Sequence, residues 1–511
     1  MKKKLIRFFV IIAFFIGFLI IFQSWRRMKI LNLQFITNSQ SNKTNTVKIT
    51  KIVNEFEVSP FRTKYFNIGI GLGITTREVP NGDKDILNKT PFFRHFMPSF
   101  VKTFSPGMTY NFYLGYDFND WFFEKEANRI SFQKKFHSFC YNRKISASIT
   151  FHECKYDKRP TWSQNDAMMI AYLDGNDYLY RINDDTILET SGWTEGFIMS
   201  LLSFEPRNIG AVGPKHSGGN EFIITYDFVH RTHVDIFGRY YPQLFTDWWG
   251  DNWMSFIYAP HRVSKLNFVL VKHVQTKTRY SVTRQTQYLW QGQVIKDRKF
   301  LTKCLHIHEK NRNKSPSRSK LIIITVQINS EDQLYGALRN AQLRYLFFPE
   351  WKLRIIVSKP LDKLWSKAMK RLDVDVEIAD NPSIKFEYLP LLAVNEKQLD
   401  ALLIRNATSR LSDIDYNLVE NFLHSNYSVH IIKDKKNTDS KLRIGIMGFR
   451  PKNLPFLSFA KIEDPWNWLQ TTFYKIINSL CVLNVACKYD SMEEFEEYFG
   501  KKYNKRMEVV S

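Results

Sequence analysis

Apolar residues are spread along this chain in three distinct patterns. The first is a single run, residues 8–22, behind Lys2, Lys3, Lys4 and Arg7 and ahead of Arg26, Arg27 and Lys29. Leu5, Ile6 and Trp25 extend that run toward the roughly 20 residues a bilayer needs, and no small-residue cleavage pattern follows it. We therefore expect residues 1–28 to be a cytoplasmic tail and an uncleaved signal anchor, with the body lumenal, although basic residues at both ends encode the orientation weakly. Residues 29–58 are rich in Asn, Ser, Thr and Lys, without apolar periodicity, and read as a stem. The second pattern is an alternation of strand and helix signals. Strands are expected at 66–75, 110–115, 178–182 and 209–212, with helices at 93–104, 165–173 and 193–202, which predicts an α/β body with a mainly parallel sheet. A third pattern starts afresh with a strand at 321–328, a helix at 331–346 and a strand at 351–357. These divide the chain into domains 59–310 and 320–490 and a charged tail, 491–511.

Composition agrees with a folded body, since 44% of residues are apolar and 15% aromatic, and the length fits two or three domains. The net charge of +23 comes from scattered lysines with no arginine-rich arm or zinc-finger spacing. With the expected anchor, this excludes nucleic acid as a partner and favours anionic ligands such as nucleotide diphosphates. Five cysteines are too few and too irregular for a disulfide scaffold, but Cys140 and Cys154 are spaced to form one lumenal disulfide. Sequons at Asn42, Asn88, Asn313, Asn406 and Asn426 fit a secretory-pathway chain.

Candidate chemistry begins where the strand at 178–182 runs into Asn183, Asp184 and Asp185. A parallel strand ends at the ligand-binding edge of its sheet, and hard cations such as Mg²⁺ or Mn²⁺ take oxygen ligands there while leaving positions for phosphates. The alternative is that these residues cap a following helix. Gly69, Gly71 and Gly73 let backbone come close to a neighbour, but match neither a Walker loop nor a dinucleotide fingerprint. Farther on, Gly218-Gly219 could approach a ligand, and Asp247-Trp-Trp-Gly-Asp-Asn-Trp253 surrounds two carboxylates with three tryptophans. Aromatic platforms beside carboxylates suit a saccharide acceptor, with one carboxylate free to take a hydroxyl proton. Equally, the tryptophans could be core residues. His273 follows the apolar run 266–271 and could return as a third metal ligand, or be structural.

Taken in order, Ile68-Gly-Ile-Gly-Leu-Gly-Ile-Thr-Thr-Arg77, Phe112-Tyr-Leu-Gly-Tyr-Asp117, Asn165-Asp-Ala167, Tyr178 to Thr186 and the Asp247 block resemble a GT-A-fold glycosyltransferase. That resemblance implies a Rossmann-like nucleotide-sugar domain with a DxD-type motif at Asn183, Asp184 and Asp185. It implies Asp185 as metal ligand, Asp184 as ligand or ribose contact, and Thr75, Arg77, Asp117, Asn165 and Asn183 as nucleotide contacts. Asp251 stands where inverting members carry a base, with Asp247 as substitute, while inverting and retaining outcomes both stay open. Asn183 replaces the first Asp of the motif by a neutral carbonyl. The segment from Ile404 to Asp415 is similar to a second glycosyltransferase-like domain, whose two ligand aspartates are here Asn406 and Thr408. Loss of both carboxylates predicts a catalytically silent module. The implied protein is a type II Golgi or endoplasmic reticulum enzyme, or a viral one in host membranes. It would use Mn²⁺ or Mg²⁺ and a nucleotide-sugar, a UDP-sugar being the expected donor, and glycosylate a glycan or glycoprotein; an oligomer stays open. The rival reading is a membrane-anchored saccharide-binding or scaffold protein with both domains silent.

Overall fold

The computed structural model describes residues 66–217, 220–274, 286–311, 313–380, 384–396, 398–433 and 446–454, a strand at Val482–Ala486, and two-residue strands at Lys502–Tyr503 and Val509–Val510. The expected anchor and stem, Gly218-Gly219, Cys481, Cys487 and most of the tail lie outside these residues. Among the described residues no helix is long and apolar enough to cross a membrane.

The first sheet contains β1 (Asn67–Ile74), β2 (Thr109–Asp117), β3 (Ala147–Cys154), β4 (Tyr178–Arg181), β5 (Thr186–Leu188), β6 (Ala211–Ser217), β7 (Phe228–His230) and β8 (Val263–His273), in the order β3-β2-β1-β4-β7-β6-β8-β5. From β1 the chain steps outward through β2 to β3 and then returns to place β4 on the other side of β1, all parallel. This reversal opens a crevice beyond the carboxyl ends of β1 and β4, where open α/β sheets bind ligands.

Alternation within β1 fixes both of its faces. Ile68, Ile70, Leu72 and Ile74 are buried on one. The glycines on the other lie under α1 (Pro160–Leu173): a Cβ on Gly71 would stand 2.1 Å from the Met168 sulfur, and one on Gly115 of β2 would stand 2.7 Å from the Ser163 carbonyl oxygen. What the glycine stripe admits is therefore a helix.

The second sheet holds β9 (Lys320–Val326), β10 (Lys352–Val357), β11 (Val374–Ile378), β12 (Ala401–Asn406), β13 (Val429–Lys433), β14 (Ile446–Phe449) and β15 (Val482–Ala486), in the order β11-β10-β9-β12-β14-β13-β15. Apart from β5, this is the topology of the first sheet repeated. Three parallel strands step outward, the fourth lies beside the first, an antiparallel strand follows, and the last pair is parallel. The two sheets share one apolar cluster, running from Tyr172 and Leu173 of α1 to Ala337, Leu338 and Ala341 of α2 (Glu331–Phe347). Arg339 donates across this junction to the carbonyls of Asp235 and Ile236 at 2.8 and 2.6 Å, and Arg371 pairs with Asp177 at 2.7 Å.

Within the second domain, Gly336 inside α2 permits a close approach of backbone, since a Cβ there would stand 2.0 Å from the Ala407 carbonyl oxygen. Backbone cannot swing away as a side-chain tip can. Gly336→Ala is expected to destabilise the protein by about 1–3 kcal/mol despite better helix propensity, read as a lower urea midpoint; an unchanged midpoint would contradict this packing.

Two expectations are corrected. Cys140 and Cys154 are free and buried, the Cys154 thiol facing the Ser163 hydroxyl at 3.4 Å, so the expected disulfide is absent. The strand expected to end at Val212 continues to Ser217, its pairing with β8 shifting register between Pro214 and Lys215.

Candidate functional site

Local pairing brings the first cluster together. Immediately after Asp185, β5 pairs antiparallel with the end of β8, setting Thr186 opposite His273, and the Val274 amide donates to the Asp185 carbonyl at 3.0 Å. His273 Nε2 consequently lies 3.2 Å from Asp185 Oδ2. Asp184 is buried beside them. Asn183 lines the crevice, its carboxamide oxygen accepting from Gln164 Nε2 at 3.1 Å.

Two further histidines, both missed in the sequence, face the same carboxylate. His216 lies in the part of β6 beyond the expected strand end, with its ring 5.9 Å from that of His273, and both its nitrogens are buried without a hydrogen-bond partner among the described residues. Burial, then the neighbouring His273, hold its pKa down, so the ring is neutral near neutral pH. His95 lies on a π-helical turn, Phe92–Phe96, close enough to Asp185 to feel its charge. A carboxylate oxygen with imidazole nitrogens is a donor set that fits a divalent cation such as Mn²⁺, with Asp185, His273 and, beside them, Asp184 and His216 as the residues to hold it.

The nucleotide contacts expected from the sequence divide. At the end of β1, Asp120 accepts from the Thr75 hydroxyl at 3.3 Å and from the Thr76 amide and hydroxyl at 2.9 and 2.7 Å, fixing the crevice wall. Arg77 pairs with Asp117 at 2.7 Å, and burial raises the Asp117 pKa against the pull of the Lys158 amide and Arg77. Asn165 is placed differently, because its side-chain oxygen accepts from the Tyr240 and Tyr241 amides at 3.1 and 3.0 Å. It positions that loop, and no crevice contact is left to this oxygen.

From Asn183 the crevice widens into a cavity of about 410 Å³ lined by Gln164, Arg181, His216, Asp247, Trp248, Trp249 and Asp251 among others. The tryptophans have three different fates. Trp253 is core, its indole donating to Asp297 at 2.8 Å; Trp249 stacks on Trp290 with centroids 5.9 Å apart; Trp248 is 53% exposed at the mouth. Trp249 also holds a left-handed φ of 79°, a costly conformation for a bulky residue and one that concentrates at functional sites. It turns the chain into α3 (Gly250–Tyr258), whose first turn carries Asp251. Burial raises the Asp251 pKa, with the Arg181 charge the largest opposing influence. Arg181 is itself buried, paired with Asp227 at 2.8 Å and donating to the Tyr241 hydroxyl at 2.7 Å. Asp247 accepts from the Trp248 amide at 2.7 Å.

In the second sheet the corresponding crevice is about 220 Å³, lined by Thr325, Gln327, Gln333, Phe386, Glu387 and the end of β12. Asn406 folds onto its own turn there, accepting from the Thr408 amide and hydroxyl at 2.8 and 2.9 Å. Arg405 is held by Asp415 through two hydrogen bonds, at 3.0 and 2.8 Å. Among the described residues, neither a carboxylate pair nor an uncommitted arginine faces this crevice.

No protein-family model matches the chain, and none of the curated proteins is a significant match. Among solved structures, the chain is similar to the mannosyltransferase PcManGT from Pyrobaculum calidifontis in complex with GDP-Man and Mn²⁺, at 9% identity and TM-score 0.30 over 56% of this chain and 77% of that one. TarS 1–349 from S. aureus is similar at 10% identity and TM-score 0.30, over 55% of this chain and 81% of that one. The apo-form glycosyltransferase GlyE from Streptococcus pneumoniae TIGR4 matches at 12% identity and TM-score 0.24, over 82% of this chain and all of that one. At such values neither the family nor the activity of this chain follows from the likeness.

Proposed function

We propose that the chain is a metal-dependent glycosyltransferase that moves a sugar from a nucleotide-sugar donor to a hydroxyl of a glycan or glycoprotein. The observation that carries this reading is the junction, at the switch point of the first sheet, of a carboxylate–imidazole cluster with a tryptophan-walled cavity. A divalent cation bound by Asp185, His273 and His216 would neutralise the diphosphate leaving group. The wall held by Thr75, Thr76 and Asp120 supports the nucleotide, and Asp184 stands beside it. At the other end, Trp248 offers an aromatic face to the C–H face of an acceptor sugar. Asp251 accepts the proton of the attacking hydroxyl, its basicity raised by burial against the Arg181 charge. A hexosyl or N-acetylhexosaminyl group from a UDP-sugar is the proposed transfer, and the second domain assists by packing or acceptor recognition. The reading includes a single-pass type II anchor in the Golgi or endoplasmic reticulum, supported by the basic and apolar pattern of residues 1–28. The test is consumption of a panel of nucleotide-sugars by the purified chain. Turnover of one donor, stopped by chelator and restored by Mn²⁺, is expected; chelator-insensitive glycan binding without turnover would favour the saccharide-binding scaffold.

A further inference from the structure

A second cluster of metal-ligating side chains lies away from the crevice, at the edge of the first sheet. β3 is the edge strand, and its residues His152 and Cys154, two apart, project from the same face. That face looks onto α1, which supplies Asp166. One ligand atom from each of the three residues lies within 4.8 Å of the others, the only such group of three among the described residues. His152 Nε2 stands 3.7 Å from Asp166 Oδ2, beyond hydrogen-bonding reach, and the imidazole makes no side-chain hydrogen bond among the described residues. The carboxylate is oriented by the Tyr156 hydroxyl, which donates at 2.6 Å to the same oxygen, Asp166 Oδ2. Cys154 is fully buried while His152 and Asp166 are part-exposed, so the cluster is closed at the sulfur end and open to solvent at the other.

We propose that His152, Cys154 and Asp166 form a binding site for a zinc-class divalent cation, with water in the fourth position. The chemistry of the set selects the ion. A thiolate is a poor ligand for Mg²⁺ or Ca²⁺, whereas sulfur, imidazole nitrogen and carboxylate oxygen are each ligands that tetrahedral zinc takes. Zinc–ligand bonds of about 2.0–2.3 Å require these three atoms to draw together by no more than a side-chain adjustment. The bound ion would clamp the edge strand β3 to α1. That helix carries Gln164, the residue that holds Asn183 at the crevice, two positions from Asp166. The site is therefore a brace for the donor crevice, separate from the cluster at Asp185.

The experiment is titration of the full chain, stripped of metal by chelator, with Co²⁺ and then Zn²⁺. We expect a thiolate-to-cobalt charge-transfer band that saturates at one ion per chain and is displaced by Zn²⁺. Cys154→Ser should abolish the band, and His152→Gln and Asp166→Asn should each weaken Zn²⁺ binding by more than the roughly 10–100-fold lost with an outer-shell partner. Asp185→Asn should leave the band intact. Absence of the band, its survival in Cys154→Ser, or its loss in Asp185→Asn would overturn the site. Circular dichroism checks folding, and should Cys154→Ser not fold, the part-exposed His152→Gln decides: zinc affinity equal to that of the unaltered chain would also overturn it.

Discussion

Asp185→Asn is expected to lower turnover by at least about 10²-fold, the loss that follows removal of a principal electrostatic stabiliser of a leaving group. The substitution keeps the shape of the side chain and removes one negative charge from a position 3.2 Å from His273. With that charge gone, the cluster attracts a divalent cation less strongly, so the effect should appear as a much higher Mn²⁺ requirement as well as a lower limiting rate. Single-turnover measurements across a Mn²⁺ series separate these. A rate near that of the unaltered chain would remove Asp185 from the site.

Asp251→Asn is the second large effect. Positioned acid–base groups contribute about 10²–10⁴-fold, and a loss in that range is expected. The pH profile carries the sharper prediction. Burial lifts the Asp251 pKa above its ordinary value of 3.8, against the Arg181 charge, so activity should rise with pH through a limb displaced upward from that value. In the variant that limb should vanish. Stability runs the other way. A carboxyl whose folded pKa is raised holds its proton more tightly in the folded state, so its favourable contribution is present at low pH. It is lost as pH rises from the unfolded value through the folded one. At neutral pH the ionised Asp251 is therefore a cost, and Asp251→Asn should melt no lower than the unaltered chain. A lower melting temperature with an unchanged pH limb would make Asp251 structural.

Much of the first cluster was legible because its signals are local. An apolar strand running into Asn183-Asp184-Asp185 marks a sheet edge, and His273 follows an apolar run. The helix Trp193–Leu202 could be read to the residue. His216 was missed because Gly213-Pro214 reads as a stop, whereas β6 passes through it with a register shift. Asn165 misled for a different reason: an amide chemically fit to contact a nucleotide is committed to two backbone amides some seventy-five residues away. Cys154 faces Ser163 and the His152–Asp166 cluster, an arrangement set by how α1 lies on the sheet. The repeat of one topology in both sheets is likewise a matter of long-range pairing, invisible to short motifs.

The most direct measurement is the thermal stability of the full chain, titrated with each common nucleoside diphosphate with and without Mn²⁺, beside Asp185→Asn. A ligand that binds only the folded state raises stability by RT ln(1 + [L]/Kd), about 2.7 kcal/mol at a hundred times Kd. The account predicts a rise for one nucleotide that requires Mn²⁺ and disappears in Asp185→Asn. A rise that persists without metal or in the variant, or none with any nucleotide, would contradict a metal-dependent donor site at the end of β4.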